Sequence, residues 1–585
     1  MNHLSNHLSL LLLLSCQVAF AQPVSQDVAL SRAQLFLEHL SDKPSRCAPR
    51  QTACQLSLAH TATYRSVTTY YVFNISDEQG FVIVGGDKSA YEILGFCDHG
   101  SFSYDLAPDN FKGWLDQYAI QIALAASRTK PAITDHNDQT SSRSSIPPLV
   151  KAKWSQIEPY NQLIPKYNDS TFVTGCVATA MSQVMRHHRW PITGTGEHSY
   201  MLAAYPELTF SANFSQTTYK WDDMLNTYVT GQYDATQAEA VATLMYHTGV
   251  STDMKYGTES SGSGTPSDKI GYALATYFGY DRSVRIEYRS YYTDDEWEQL
   301  IYDELARQRP VFYSGKALSG AGHQFVCDGY DSELEMFAFN WGWNGKCDGY
   351  YRLTGAGAIQ PNDRGISEID NTEDDAYDQN QKIILNVMPA GRNQESAHLG
   401  QIENNNGVMY LKADGNTYEE NYIYDPSMGP HNVRLYTTLK NLSCITTEFD
   451  YGVKAVETTT GATHLIPSHS GESLSRNHHY KNAIPLSFDP STWADGTYQL
   501  RPICRAAGQD DTEWNEVDIM IDETYPTITI ITPPVTSIHV FNREDEYASP
   551  QIILSSDGIV HDKMQSGFNI IRYPDGTVRK TYILK

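Results

Sequence analysis

One stretch limits the folds open to this chain. Ser127 to Pro148, "SRTKPAITDHNDQTSSRSSIPP", is polar, rich in Ser and Thr, and without apolar period, so it supplies no buried face for a helix or a strand. The chain is expected to fold as units on either side of it, with 127–148 as an exposed linker open to proteolysis. A length of 585 residues points to several cores on its own.

Residues 22–126 read as a small α+β unit. Asp27 is placed to cap a helix through "VALSRAQLFLEHL", "TTYYVFNISDEQGFVIVGGD" reads as two strands joined by a turn, "YEILGFC" as a third, and "FKGWLDQYAIQIALAA" as a helix. Ahead of it, "MNHLSNHLSLLLLLSCQVAFAQP" combines a short apolar run with Ala-Phe-Ala at 19–21, the pattern of a signal peptide cut after Ala21. A lipid-modified Cys16 is the alternative there. "GGDKS" at 85–89 lacks the spacing of a phosphate loop and reads as a turn.

Residues 149–388 mix helices ("ATQAEAVATLMYHTGV", "SDKIGYALATYFG", "DDEWEQLIYDELARQ") with strands ("RPVFYSG", "GHQFVCDGYD", "MFAFNWGW", "GYYRLTG"). That is an α+β pattern, helices first and an antiparallel meander after. From 389 to 525, strands separated by Gly, Asn, Asp and Pro turns suggest a β-sandwich, and 526–585 a further small β-rich module. The net charge of −26, from 43 basic and 69 acidic residues, disfavours nucleic acid as a partner.

Nine cysteines are too few and too spread for a disulfide-stapled scaffold. Cys47 with Cys54, and Cys444 with Cys504, are plausible pairs by position. Cys176 is different in kind. In "VTGCVATAMSQVMRHHRWP", Val177, Ala180, Met181, Val184 and Met185 line one helical face, and Pro191 ends the helix. Cys176 then falls in the first turn, where free N–H groups and the positive dipole end favour a thiolate. His187, His188 and His198 lack the spacing of a zinc site, and the first two, beside Arg186 and Arg189, read as cations complementing the helix end. No metal or cofactor is expected.

A cysteine nucleophile needs a base, and His323 follows the side-chain-poor Gly320-Ala321-Gly322 at a strand start. If the chain turns at Asp331-Ser332, Asn340 faces His323 and could accept its imidazole N–H, with Trp341 covering the contact. The Gln156 amide could join the Cys176 N–H as an oxyanion donor.

"KWSQIEPYN", "TGCVATAMSQVMRHHRWP", "YGTESSGSG", "RPVFYSG", "GHQFVCDGYD" and "FNWGWNGKCDGYY" occur in this order, and the chain resembles the streptopain family of secreted papain-like cysteine peptidases, interpain-type proteins included. "YYVFNISDEQGFVIVGGDKSAYEILGFCDHGSF" likewise resembles that family's inhibitory propeptide. The resemblance implies a papain-like fold, Cys176 as nucleophile, His323 as general base, Gln156 as oxyanion donor and Asn340 with Trp341 as imidazole supports. It also implies that Ser263 and Gly322 touch the substrate backbone, that residues 22–126 inhibit the precursor in cis, and that a hydrophobic residue is favoured two positions before the cut. Ala338 departs from the pattern, standing where relatives often carry histidine. The last fifty or so residues resemble the sorting domains of Gram-negative type IX secretion substrates.

The expected function is a secreted or surface-held cysteine endopeptidase acting on proteins and peptides. The alternatives are a degenerate surface adhesin and a transglutaminase-like acyl transferase, which shares the acyl-thioenzyme step.

Overall fold

The computed structural model describes residues 22–41, 55–127, 143–316, 322–356, 381–391, most of 400–532 and the strands between 552 and 583. The signal peptide with Cys16, the Cys47–Cys54 pair and the linker up to residue 142 lie outside the described residues.

The first unit of the sequence folds as helix α1 (Gln26–Ser41), strands β1 (Leu56–Tyr64), β2 (Val67–Ile75), β3 (Phe81–Gly85) and β4 (Ile93–Cys97), and helix α2 (Asp109–Ala126). Helix α1 begins one residue before Asp27, and the Ser25 hydroxyl, 3.4 Å from the Val28 N–H, takes the capping position expected of Asp27. After β3 the Asp87 carboxylate accepts the Ser89 N–H at 2.9 Å, so "GGDKS" is a turn.

Beyond the linker come α3 (Cys176–His188), a hairpin of β5 (Glu197–Leu202) and β6 (Tyr205–Asn213), α4 (Ala235–Ser251), α5 (Asp268–Tyr277), β7 (Arg285–Tyr288) and α6 (Asp294–Ala306). Strands β8 (Val311–Lys316), β9 (Gly322–Asp331), β10 (Met336–Asn340), β11 (Gly349–Tyr351) and β12 (Lys382–Leu385) complete the set. This is the mixed α+β architecture expected from the hydrophobic periods.

The units on the two sides of the linker do not fold apart. They share one ten-stranded sheet in the order β1-β2-β3-β4-β11-β10-β9-β8-β12-β7. Its seam pairs Tyr350 with Phe96 and Tyr351 with Gly95, so two edges that would each leave N–H and C=O groups unpaired satisfy one another. Gly95 is required there, because a Cβ would stand 2.4 Å from the Tyr351 ring. Helix α2 contacts β2, β8 and β9 and buries nearly its whole circumference, including the polar Asn110, Gln117 and Gln121.

The end of the linker is also less free than its composition suggested. Ile146 exchanges both backbone bonds with Tyr330, at 2.7 and 2.8 Å, and Ile146 and Leu149 are buried in the apolar cluster that contains α2. Arg143 donates to Glu298 and Gln299 on α6 and lies over the rings of Tyr302 and Tyr330. Residues 143–150 are a docked strap; two apolar side chains and one guanidinium suffice for that, and neither has a period to read.

After residue 400 two sheets, of four and six strands, share a core that includes Leu411, Leu435, Leu486, Phe449, Val453, Leu500 and Ile528. The strands of these two sheets run as far as Ile530. Thr527–Ile530 pairs with both Gly496–Gln499 and Asn421–Tyr424. Cys444 and Cys504 are buried and not joined to each other, so the pair expected from position does not form. Cys504 sits in the sandwich core, whereas Cys444 joins the apolar cluster of α3, α4 and α5. A separate unit that includes residues 531–585 holds a four-stranded antiparallel sheet built from Ile552–Ser555, Val560–His561, Gly567–Arg572 and Val578–Ile583. Among the described residues no helix is long and apolar enough to cross a membrane.

Candidate active site

Cys176 is the first residue of α3, and Gly175 before it has φ +87°. A side chain at 175 would be strained by that angle, and its Cβ would stand 2.8 Å from Met254 Sδ. Val177, Ala180, Met181, Val184 and Met185 are buried as their spacing predicts, which locks the helix into the core and leaves Cys176 half-buried at its end. Arg189, in the left-handed region at φ 51°, stops the helix two residues before Pro191.

The surroundings of the thiol work against a thiolate. Burial pushes the Cys176 thiol up from its ordinary value, and the N–H groups of Gln324, Val177 and Cys176 itself pull the other way. Burial also lowers the His323 imidazole, with the Asp109 carboxylate at the start of α2 opposing. The helix end thus supplies the expected N–H groups, but desolvation outweighs them. Among the described residues no hydrogen bond joins Cys176 to His323, which occupies the second position of β9 opposite Gly315 of β8.

Asn340 does not face His323. The turn between β9 and β10 takes Ser332 to Glu335, longer than expected, and a bulge after Ala338 shifts the register again, so that Asn340 lies opposite Val326. Its carboxamide is engaged elsewhere: Nδ2 donates to the Ala152 carbonyl at 2.8 Å, and Oδ1 accepts from Gln183 Nε2 at 3.1 Å and the Gly342 N–H at 3.0 Å. Ala338, the departure from the family pattern, is buried opposite Gly329.

Trp341 is buried in an aromatic cluster with Phe325 and Phe339, and with Phe111 and Trp114 of α2. Its backbone N–H is held by Asp348 at 2.9 Å and its indole N–H by the Cys347 carbonyl at 2.8 Å. Its carbonyl accepts from Asn110 Nδ2 of α2 at 2.7 Å. Trp341 therefore contacts the propeptide helix.

Gln156 is buried, and its backbone carbonyl accepts the Thr174 N–H at 3.0 Å, two residues from the cysteine. Ser263 is also close. Its hydroxyl donates to the Val173 carbonyl at 2.7 Å and accepts the Gly257 N–H at 2.9 Å, and its own carbonyl lines the space beside Gly175. The Ser263 hydroxyl is thus committed to the loop, which leaves its backbone for any contact with substrate. Gly322 is exposed, pairs with Lys316, and a Cβ there would meet nothing within 4 Å. Gly320 and Ala321 lie outside the described residues.

The three histidines that raised the question of a metal have separate partners: the Leu149 and Gln308 carbonyls for His187, the Tyr280 hydroxyl for His188, and Asp253 for His198. Burial lowers the His187 pKa, so the charge facing the α3 C-terminus rests on Arg186 and Arg189 more than on the imidazole expected to share it. Among the described residues one cluster offers three possible ligand groups, Cys97, Asp98 and His99. Its imidazole is already bonded, to Asp98 at 2.7 Å and to the Gly345 carbonyl at 2.8 Å.

Three residues here escaped the sequence reading. Asn110 and Asp348 carry no local signal. Neither does Gln183, two turns after the cysteine, which stands off the apolar stripe of α3 at a position where a glutamine ordinarily faces solvent.

Comparison with known proteins matches residues 154–351 to the Peptidase C10 family and residues 21–122 to the Spi protease inhibitor family. Streptopain from Streptococcus pyogenes is 36% identical over 307 residues, which cover 49% of this chain and 74% of that protein. Thiol protease/hemagglutinin PrtT from Porphyromonas gingivalis is 31% identical over 397 residues, 65% of this chain, and the chain spans 43% of PrtT's length. Among solved structures, a fragment of Prevotella intermedia prointerpain A is 32% identical, covers 57% of this chain and 99% of its own, and aligns with a TM-score of 0.49. With the Cys176 helix, the inhibitor-type segment and the shared sheet in view, the chain belongs to the Peptidase C10 family of cysteine-type endopeptidases and carries its Spi-type inhibitor as a propeptide.

Proposed function

We propose that Cys176 attacks the scissile carbonyl of a protein substrate while Gln156 and the Cys176 N–H hold the oxyanion. His323 protonates the leaving amine and then activates the water that frees the acyl-thioenzyme. Asn340 and Trp341 support the histidine side of the site, and Ser263 and Gly322 border the substrate backbone. The observation that carries this reading is the place of Cys176 at the head of α3, with N–H groups around its sulfur and the Gln156 segment bonded two residues away.

Residues 22–126 are the inhibitory domain, 149–388 the peptidase, 389–525 with the added strand to Ile530 a sandwich, and 531–585 a sorting-like module. Activation cuts the chain within 127–148. The enzyme works outside the cell, and the terminal module delivers it to the surface of a Gram-negative bacterium. A preference for a hydrophobic residue two positions before the cut comes with the family likeness.

The test is the intact mass over time, with mild reductant near neutral pH, of residues 22–585 as wild type, Cys176→Ala and His323→Ala. Wild type is expected to shed its first 105 to 130 residues or so and both variants to stay whole. Hydrolysis that persists in Cys176→Ala, or that a zinc chelator abolishes, would overturn the mechanism.

A further inference from the structure

Gln183 joins the three segments that bear the site. It lies on α3, its side chain is 1% exposed, and neither end of its carboxamide is free. Oε1 accepts the Trp154 N–H at 3.1 Å, and Nε2 donates to Asn340 Oδ1 at 3.1 Å. Asn340 Nδ2 in turn donates to the Ala152 carbonyl at 2.8 Å. The path therefore closes on itself: Trp154 backbone, Gln183, Asn340, Ala152 backbone. The Trp154 N–H can only donate and the Ala152 carbonyl can only accept, so the orientations of both amides are fixed by their anchors. The Asn344 N–H adds a second tie between the same two segments, to the Trp154 carbonyl at 3.0 Å.

The ring connects the nucleophile helix, the segment leading to Gln156, and the end of β10 that continues into Trp341. Asn340 Oδ1 also accepts the Gly342 N–H, which fills both of its lone pairs and leaves none for an imidazole. We propose that Gln183 is a positioning residue that sets the spacing between Cys176, Gln156 and the Trp341 loop, and that Asn340 serves His323 through this ring rather than by bonding its N–H. The proposal rests on the cysteine-peptidase reading above. All members of the ring belong to the peptidase segment, so it persists when the propeptide leaves.

The test uses full-length precursor as wild type, Gln183→Met and Gln183→Glu, each trimmed by immobilised wild-type enzyme that is then removed. Gln183→Met keeps the length and loses both bonds. Gln183→Glu keeps the acceptor for Trp154, loses the donor, and sets two oxygens against each other. For each form, kcat and KM on a small peptide and the pH profile of Cys176 alkylation are measured well below its melting temperature. Both variants are expected to lose kcat on the order of 10²-fold with KM little changed, and to show an altered alkylation profile. A lowered melting temperature with kcat and the alkylation profile intact would overturn the proposal and leave Gln183 a packing residue. If Gln183→Met does not fold, the same readings on Gln183→Glu decide. Activity surviving in Cys176→Ala would sink the underlying reading instead, a separate outcome from unchanged Gln183 variants.

Discussion

At the residue scale the precursor works against the thiolate–imidazolium pair that the proposed mechanism needs. Cys176 is raised and His323 lowered, both first of all by burial. A raised thiol pKa means less thiolate at any given pH, so alkylation of Cys176 in the uncleaved precursor should be slow at pH 7 and climb only above the ordinary thiol range. Trimmed enzyme should react at pH 7. Mass spectrometry of iodoacetamide-treated protein checks this, and equal rates for the two forms would contradict it. Gly175 is the other telling residue: Gly175→Ala, with φ +87° and Met254 Sδ at 2.8 Å from the new Cβ, should cost about 1–3 kcal/mol and cut activity more than Gly322→Ala, which meets open space.

At the scale of elements, α2 is the piece of the propeptide that packs on Trp341. Asn110 is 2% exposed and holds the Trp341 carbonyl, so Asn110→Leu leaves a buried acceptor unmet at about 1–3 kcal/mol. The uncleaved precursor should then turn over a small peptide roughly tenfold faster; no change would mean that packing alone excludes substrate. The strap depends on a second buried group. Asp328 accepts the Val150 N–H at 2.9 Å, and burial, with Asp348 nearby, pushes its pKa up to about 8. A carboxyl raised on folding adds stability that is full below its unfolded value near 4 and is lost as pH rises to about 8. Asp328→Asn keeps an acceptor and loses the charge. Its melting temperature should therefore gain on wild type steadily from pH 4 to 8, and parallel curves would refute the assignment.

At the scale of the whole molecule, the sandwich is fastened to the peptidase rather than strung after it. The Ile286 N–H donates to the Leu442 carbonyl at 3.1 Å and the Cys444 N–H to the Val284 carbonyl at 3.2 Å, so residues 442–444 cover β7, the last strand of the sheet. Lys440 reaches the Tyr288 hydroxyl at 3.3 Å. Cys444 fills the space over Gly271, where a Cβ would meet its sulfur at 1.9 Å. Gly271→Ala should loosen this junction, seen as faster hydrogen exchange in 284–288 and 440–445. Exchange unchanged in both stretches would show that the junction absorbs the methyl group.

The sequence by itself determined which segments become helices and strands and the head-of-helix place of Cys176, because hydrophobic periods and turn residues act within a few positions of themselves. What decided the rest was tertiary. The β9–β10 register depended on a turn two residues longer than Asp331-Ser332 alone and on a bulge after Ala338. The pKa shifts of Cys176 and His323 depended on burial by segments distant in the chain. The docking of 143–150, the β4–β11 seam and the Gln183–Asn340 ring depended on single side chains and strand edges finding distant partners. None of these leaves a local period, because each contact is specified by only one or two residues from either side.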